Sequence, residues 1–216
     1  MKPSDVRGLY EEISNSVTHA IALGLAIGAA AYAIAIAEST GSTNAVRSAQ
    51  MYGVSMVTLF ISSTLYHGFQ VQPYKHYFRI FDHSTIYVMI AGSVTPFIYC
   101  FIREPSEVIW VIAIWILTAL GILYKMFFFG RGELESVSSY FILTGVGFFC
   151  AVPKFGLYPY PGQIWIVLGL VVYVAGVYFY VKDHKPFYHT IWHIFVFLGA
   201  SCHYIAITQY VLPSAL

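Results

Sequence analysis

Charged residues are scarce in this sequence of 216 residues: Asp, Glu, Lys and Arg together make up 10% of it, against 58% for hydrophobic residues. Soluble globular domains carry roughly 25% charged residues, so the composition excludes a domain of that kind. The formal net charge is only +1, which excludes the strongly basic surface that a nucleic-acid partner requires. With a mean hydropathy of +0.70, the composition indicates an integral membrane protein.

Cysteine is also rare, and the three cysteines are far apart: Cys100, Cys150 and Cys202. They lie within or at the ends of apolar segments and form no CxxC pair. This pattern favours neither a metal site made of thiolates nor a framework of disulfides. We therefore expect three buried and chemically inert thiols.

Long apolar segments make up most of the chain, and each is close to the roughly 20 residues that a helix needs to cross a bilayer. Seven of them follow one another, at residues 17–37, 46–67, 80–102, 107–128, 137–152, 163–182 and 188–211. The first is longer than the apolar region of a signal peptide, so we expect it to remain in the protein, behind a short polar tail. The sequence predicts an all-α integral membrane protein, with residues 1–216 forming a single domain of seven transmembrane helices.

The positive charges are unevenly divided between the two sides of such a bundle. If the amino terminus is cytosolic, eight of the eleven Lys and Arg residues fall on the cytosolic side, namely Lys2, Arg7, Lys75, Arg79, Lys125, Arg131, Lys182 and Lys185. Only Arg47, Arg103 and Lys154 fall outside. The positive-inside rule therefore predicts a multi-pass protein of the cell membrane with its amino terminus in the cytosol and its carboxyl terminus outside.

His189 and His193 open the last apolar segment, just after Pro186, a residue that is tolerated at the start of a helix. Two residues four apart on a helix differ by about 40° around its axis and about 6 Å along it, so both imidazoles can point at one metal ion. His67 ends the second segment and Asp82 opens the third, so the predicted topology puts all four side chains at one membrane level.

Each of these histidines taken alone is most simply an interfacial polar residue, because ionisable groups are tolerated at the ends of spans. The set indicates more, since three histidines and a carboxylate match the ligands of a zinc site. Three protein nitrogens would leave the fourth position to water, which is the arrangement of a catalytic zinc.

The first apolar segment carries two further patterns. Glu12, Ser16 and His19 recur at helical spacing, so we expect them to form a polar stripe that faces the bundle and supports the site. Gly24 and Gly28 form a GxxxG pattern, which predicts close packing inside the bundle.

Four short stretches carry a resemblance to a known family. These are residues 63–67 (STLYH), 82–84 (DHS) and 189–193 (HTIWH), together with the opening stretch 11–20 (EEISNSVTHA). With seven spans, they make the chain resemble the hemolysin III family, the bacterial branch of the progestin and adipoQ receptor superfamily, which includes the adiponectin receptors. The resemblance covers nearly the whole chain, and the short amino-terminal tail is similar to that of the bacterial branch.

The resemblance implies that His67, His189 and His193 bind zinc. It also implies that Asp82 lies beside the metal and holds its water, and that Ser63 takes the serine position of the family, one helical turn before His67. The receptor family is linked to ceramide hydrolysis and to a wider group of metal-dependent membrane hydrolases.

The remaining histidines have weaker claims to the site. His83 follows Asp82 where the adiponectin receptors carry an aromatic residue, so it is either an additional ligand or a neighbour of the site. His76 and His184 are expected to face solvent in loops. His203 lies about 15 Å farther along the last helix than the ligand pair, so we expect it to hydrogen-bond within the bundle or to line a cavity.

These patterns favour a zinc-dependent hydrolase that acts on a membrane lipid or a lipid amide such as a ceramide, with Asp82 accepting a proton from the attacking water. The alternative is a membrane protein without enzymatic activity, either a sensor of lipid state with a structural zinc or a cytolytic pore. A pore should carry polar positions along a span, yet the segments here are nearly uncharged between their ends. The pore is therefore the least favoured of the three.

Overall fold

The computed structural model describes residues 3–128 and 133–215, and within these the chain is almost entirely helical, with no β-strand. The long helices are α1 (Pro3–Ser39), α2 (Thr43–Gly68), α3 (Tyr74–Tyr99), α4 (Val108–Phe128), α5 (Glu133–Ala151), α6 (Tyr160–Val181) and α7 (Tyr188–Ala206). Lys2 and Arg131, which contribute to the charge count above, lie outside the described residues. The all-α prediction is confirmed, and each of the seven apolar segments lies largely within one helix.

The main difference from the expected boundaries is at the start of the chain. Residues 3–16 were expected to be largely a polar tail, but they form the first turns of α1, which runs without interruption from Pro3 to Ser39. Polar side chains on these turns hydrogen-bond to α2 and α7. These contacts explain why a stretch without an apolar run is nevertheless helical.

Five stretches of helix are long and apolar enough to cross a membrane, among the residues that were described: Gly8–Ser39, Pro105–Phe128, Val137–Leu157, Tyr160–Val181 and Tyr188–Ser214. The protein is therefore a multi-pass membrane protein. The helices α2 and α3 fall short of this measure because they carry more hydroxyl side chains, many of them buried. Ser62 and Ser93, for example, each donate a hydrogen bond to a carbonyl of their own helix, which satisfies the hydroxyl without water.

The helices pack mainly against their neighbours in sequence, and α7 closes the arrangement by packing against α1. One hydrophobic cluster joins α1, α2, α3, α6 and α7, and a second joins α3 with α4 and α5. The three cysteines are buried free thiols, as expected: Cys100, Cys150 and Cys202.

A glycine on α3 allows this helix to pack closely against α2. A Cβ atom on Gly92 would lie 2.4 Å from the Cβ atom of Ser55, so only glycine fits there. The GxxxG prediction, in contrast, is wrong. Gly24 and Gly28 are exposed, and a Cβ at either would meet no described atom within 4 Å.

Candidate metal centre

Three histidines from two helices converge at one end of the bundle. His67 lies in the last turn of α2, while His189 and His193 lie in the first two turns of α7. Their ring centroids are 4.8 to 5.2 Å apart, and one ligand nitrogen of each lies within 4.8 Å of the other two. His67 and His193 are buried and His189 is half-buried. The group can hold a metal ion.

The ring of His67 is oriented by a carboxylate on α1. Its Nδ1 donates a hydrogen bond to Oε2 of Glu12 at 2.9 Å. The same carboxylate oxygen forms an ion pair with Nζ of Lys75 at 3.0 Å. The other ring nitrogen, Nε2, is buried and has no hydrogen-bond partner in the described part of the chain. A proton on Nδ1 leaves the lone pair on Nε2, which is the state in which an imidazole binds a metal.

His193 and His189 are oriented in the same way by other oxygens. Nδ1 of His193 donates to the backbone carbonyl of Asn15 at 3.2 Å, and the side chain of Asn15 accepts a hydrogen bond from Thr190 at 2.5 Å. Nδ1 of His189 faces Oδ2 of Asp183 at 3.8 Å, and this imidazole lowers the pKa of the Asp183 carboxyl. Each of the three Nδ1 atoms therefore has an oxygen within 3.8 Å, which leaves the Nε2 atoms as the nitrogens available to a metal.

The chain enters α7 through a constrained residue. Phe187 has a φ of 60°, in the left-handed region that residues with a side chain rarely adopt. Its backbone N–H donates to Oε1 of Glu11 at 3.2 Å, which ties the start of α7 to α1. Backbone strain of this kind persists only where surrounding contacts hold it. Here it fixes the start of α7 at Tyr188, one residue before His189.

The polar stripe predicted on α1 lies against the site. Glu12 contacts His67, and Oγ of Ser16 donates to the carbonyl of Thr64 at 3.2 Å. His19 stacks on the ring of His193, with ring centroids 3.8 Å apart and an angle of 13° between the planes. The supporting position of the stripe is confirmed, and His19 is a neighbour of the three-histidine group rather than a member of it.

A cavity of about 180 Å³ adjoins the histidines and runs between the helices toward the middle of the bundle. Its lining is mostly apolar, but Ser63, Asp82, His189 and His193 share one end of it. Asp82 faces both Ser63 and His189. Ser63 Oγ is buried without a hydrogen-bond partner among residues 3–128 and 133–215, so it can still donate to or accept from a bound molecule.

The cavity opens sideways between two helices that are apolar enough to cross a membrane. Phe141 on α5 and Val174 on α6 both line it, and they are 45% and 55% exposed. Because both residues face the cavity and the outside of the bundle, the opening leads toward the surroundings of α5 and α6.

The other histidines take different positions. His83 lines the cavity, and its carbonyl accepts a hydrogen bond from Tyr140 at 2.8 Å, but its ring is not part of the three-histidine group. Of the two alternatives for His83, a neighbour of the site is therefore the better one. His203 both lines the cavity and hydrogen-bonds the carbonyl of Ile166 through Nε2 at 3.3 Å. His76 and His184 are exposed, as expected, although His76 lies in the first turn of α3 and not in a loop.

Four residues that orient the three histidines or the start of α7 are not predicted from the sequence: Glu11, Asn15, Asp183 and Thr190. Asp183 and Thr190 carry no signal that singles them out, because each lies next to several other polar residues. Asn15 and Glu11 did carry one. Asn15 follows Glu12 by three residues, and Glu11 precedes Asn15 by four. Both therefore belong to the same face of α1 as the polar stripe.

The fold and the site together define a multi-pass helical membrane protein with a buried three-histidine group at one end of its bundle. A family model described as Haemolysin-III related matches residues 8–204, and the chain belongs to that family. The resemblance carried by the short motifs is thereby confirmed.

Individual relatives match over almost their full length. The chain is 35% identical to Hemolysin-3 of Bacillus cereus over 205 residues, covering 95% of this chain and 94% of the relative. It is 34% identical to a Hemolysin-3 homolog of Bacillus subtilis (strain 168) over 202 residues, covering 94% and 95%. It is also 30% identical to the human Monocyte to macrophage differentiation factor over 215 residues, covering 95% and 86%.

Replacing any one of His67, His189 and His193 by Ala should remove most of the metal that the purified protein binds. The reason is that each contributes one of the three nitrogens, and a metal that ties α2 to α7 also stabilises the fold. Metal content and thermal unfolding, measured together on protein in lipid, check this. His76→Ala and His184→Ala are matched controls and should change neither quantity. Full metal occupancy in His193→Ala would contradict the assignment.

Glu12→Gln should weaken metal binding by about 10 to 100-fold, the usual loss for a partner that orients a ligand. The substitution keeps the size of the side chain but removes the negative charge that holds the proton on Nδ1 of His67. A competition titration with a metal chelator measures the affinity. Glu38→Gln, an exposed residue at the opposite end of α1, is the matched control. Equal affinities for the two variants would mean that Glu12 does not act on the metal through His67.

Proposed function

We propose that this protein is a zinc-dependent hydrolase of a membrane lipid or lipid amide. The observation that carries the proposal is the meeting of three imidazoles and a carboxylate at one end of an apolar cavity. A site of this kind joins a group that binds a metal to a space that suits an acyl chain. Membership of the hemolysin III family is consistent with the proposal, because the resemblance to the receptors implies the same chemistry.

Zinc fits the residues that are present. His67, His189 and His193 would hold it, since three neutral imidazoles match the ligand set of known catalytic zinc sites. Nε2 of His67 is buried and has no hydrogen-bond partner among the described residues. A buried polar atom without a partner costs free energy, and a bound metal would supply that partner. When bound, zinc polarises a carbonyl oxygen and lowers the pKa of a bound water to about 7.

Asp82 is the general base of the proposed reaction. Its carboxylate takes a proton from the attacking water as the water oxygen bonds to the carbonyl carbon of the lipid, and it returns the proton to the departing nitrogen or oxygen as that bond to carbon breaks. Ser63 faces Asp82, and its hydroxyl can donate a hydrogen bond that orients the carboxylate. The products are a fatty acid and an amine or alcohol, so atoms and protons balance.

A substrate from the bilayer is supported by the shape of the cavity. The side opening beside Phe141 and Val174 would admit a lipid tail without passing it through water. The apolar walls would then hold the acyl chain while its carbonyl lies at the histidines. Water reaches such a site from the polar end, where His189 is half-buried.

Replacing Asp82 by Asn should slow turnover by about 10² to 10⁴-fold while the protein keeps its zinc and its fold, because only the basicity of the carboxylate is lost. The assay uses purified protein in lipid with a panel of ceramides, other lipid amides and esters, and a metal-stripped sample sets the background. Glu38→Gln again serves as the control and should turn over like the unchanged protein.

A structural zinc in a sensor of lipid state leads to a different result for Asp82→Asn. The variant would then lose metal affinity by about 10 to 100-fold and lose stability, with no separate effect on turnover. Protein that holds zinc and hydrolyses nothing on the panel would overturn the proposed hydrolase.

We further propose that all seven helices cross the cell membrane, with the amino terminus and the histidine site at the cytosolic side and the carboxyl terminus outside. The distribution of Lys and Arg supports this orientation. The proposal adds α2 and α3 to the five apolar spans, because their polar side chains are largely buried inside the bundle.

A reporter that is active only in the cytosol, fused in turn to each end of the chain, should be active at the amino terminus and inactive after Leu216. An odd number of spans requires the two ends to lie on opposite sides. A second reporter, active only outside, provides the control at each end. Cytosolic activity of the fusion after Leu216 would contradict both the orientation and the count of seven.

A further inference from the structure

The deep end of the cavity, away from the metal ligands, carries two polar atoms that the proposed chemistry does not use. Nδ1 of His203 and Oη of Tyr173 are buried, and neither has a hydrogen-bond partner among the residues that the structure describes. Both side chains line the cavity. His203 as a whole is 5% exposed, and its ring meets the ring of Tyr173 edge to face, with centroids 5.5 Å apart.

Two glycines make room for this pair, one on each helix. A Cβ atom on Gly169 of α6 would lie 2.3 Å from Cδ2 of His203, and a Cβ atom on Gly199 of α7 would lie 2.8 Å from the ring of Tyr173. Each aromatic ring therefore sits directly on the backbone of the opposite helix. Packing holds both side chains in fixed positions in the cavity wall, so their unpaired atoms have a defined geometry.

The hydrogen bond that His203 already makes determines whether its Nδ1 atom donates or accepts. Nε2 of His203 bonds to the carbonyl of Ile166 at 3.3 Å, and a carbonyl can only accept, so the proton of His203 is on Nε2. Nδ1 is consequently an acceptor. The phenol of Tyr173 can donate its own proton. One acceptor beside one donor is the complement of an alcohol, which donates one hydrogen bond and accepts another.

The distance from the metal ligands places this pair along the chain of a bound lipid. His203 follows His193 by ten residues on one helix, which is about 15 Å. Ser93 on α3 lies at a similar depth, eleven residues or about 16 Å beyond Asp82, and its hydroxyl also lines the cavity. A polar group at this depth faces the middle or distal part of a long acyl chain rather than its carbonyl.

We propose that His203 and Tyr173 form a subsite for a hydroxyl group carried about 15 Å along the acyl chain. The substrate class is accordingly a lipid with a hydroxylated long chain, and the hydroxyl donates to Nδ1 of His203 while it accepts from Oη of Tyr173. This rests on the proposed hydrolase for the position of the carbonyl. It adds to that proposal the group that the protein recognises on the acyl chain, a hydroxyl.

The test is a binding measurement with two fatty acids, which are products of the proposed reaction. Stearic acid and a stearic acid hydroxylated at mid-chain compete with a fluorescent fatty acid for the zinc-loaded protein in detergent. The unchanged protein should bind the hydroxylated acid about 3 to 10-fold more tightly, the difference expected for the added hydrogen bonds. A stearic acid with its hydroxyl beside the carboxyl group should show no such gain through this pair.

Tyr173→Phe should reduce the preference for the mid-chain hydroxyl toward one, because it removes the donor and keeps the ring that packs on Gly199. His203→Phe should do the same by removing the acceptor. Tyr204→Phe is the matched control. It removes a phenol from the next position on α7 whose hydroxyl bonds to the carbonyl of Ala29 outside the cavity lining, and it should keep the preference.

The outcomes separate this proposal from the hydrolase. Equal binding of the two acids, or a preference that survives Tyr173→Phe, overturns the subsite, even if the protein hydrolyses lipids. A preference that depends on Tyr173 and His203 supports the subsite, even if no lipid on the panel is hydrolysed, in which case the hydrolase alone falls.

Discussion

A buried imidazole that binds a metal through one nitrogen needs a partner for the other, and in a membrane that partner must come from the protein. Here the constraint is met by Glu12, by the carbonyl of Asn15 and by Asp183. Two of these three oxygens belong to α1. The first helix contributes no member of the three-histidine group, yet its oxygens orient two of the three rings.

The same constraint explains the unequal hydropathy of the helices. The side chains that face outward on α4 and α6 are large and apolar, such as Ile112 and Val171, which are 51% and 58% exposed. Many hydroxyls on α2 and α3 are buried instead, and those of Ser62 and Ser93 donate to backbone carbonyls. The mean hydropathy of α2 and α3 is therefore lower than that of α4 and α6, because their polar side chains are buried inside the bundle.

The sequence was sufficient to predict the helices and to predict which histidines meet. The prediction of the meeting depended on a simple property, that His67, His189 and His193 lie at the ends of apolar segments that the predicted topology puts on one side. The contact of His193 with Asn15 could not be predicted from the sequence, because the acceptor is a backbone carbonyl and every residue has one. The GxxxG pattern failed for a related reason. Gly24 and Gly28 lie in a helix rich in small residues, so their spacing does not specify which face packs.

The hydrogen bond between Asn15 and His193 joins residues that are 178 positions apart, nearly the two ends of the chain. Of the seven helices α1 is synthesised first and α7 last, so the two sides of this contact can meet only after α7 has been made. A chain interrupted before α7 keeps only His67 of the three histidines, so a metal ion held by all three requires a chain that includes α7.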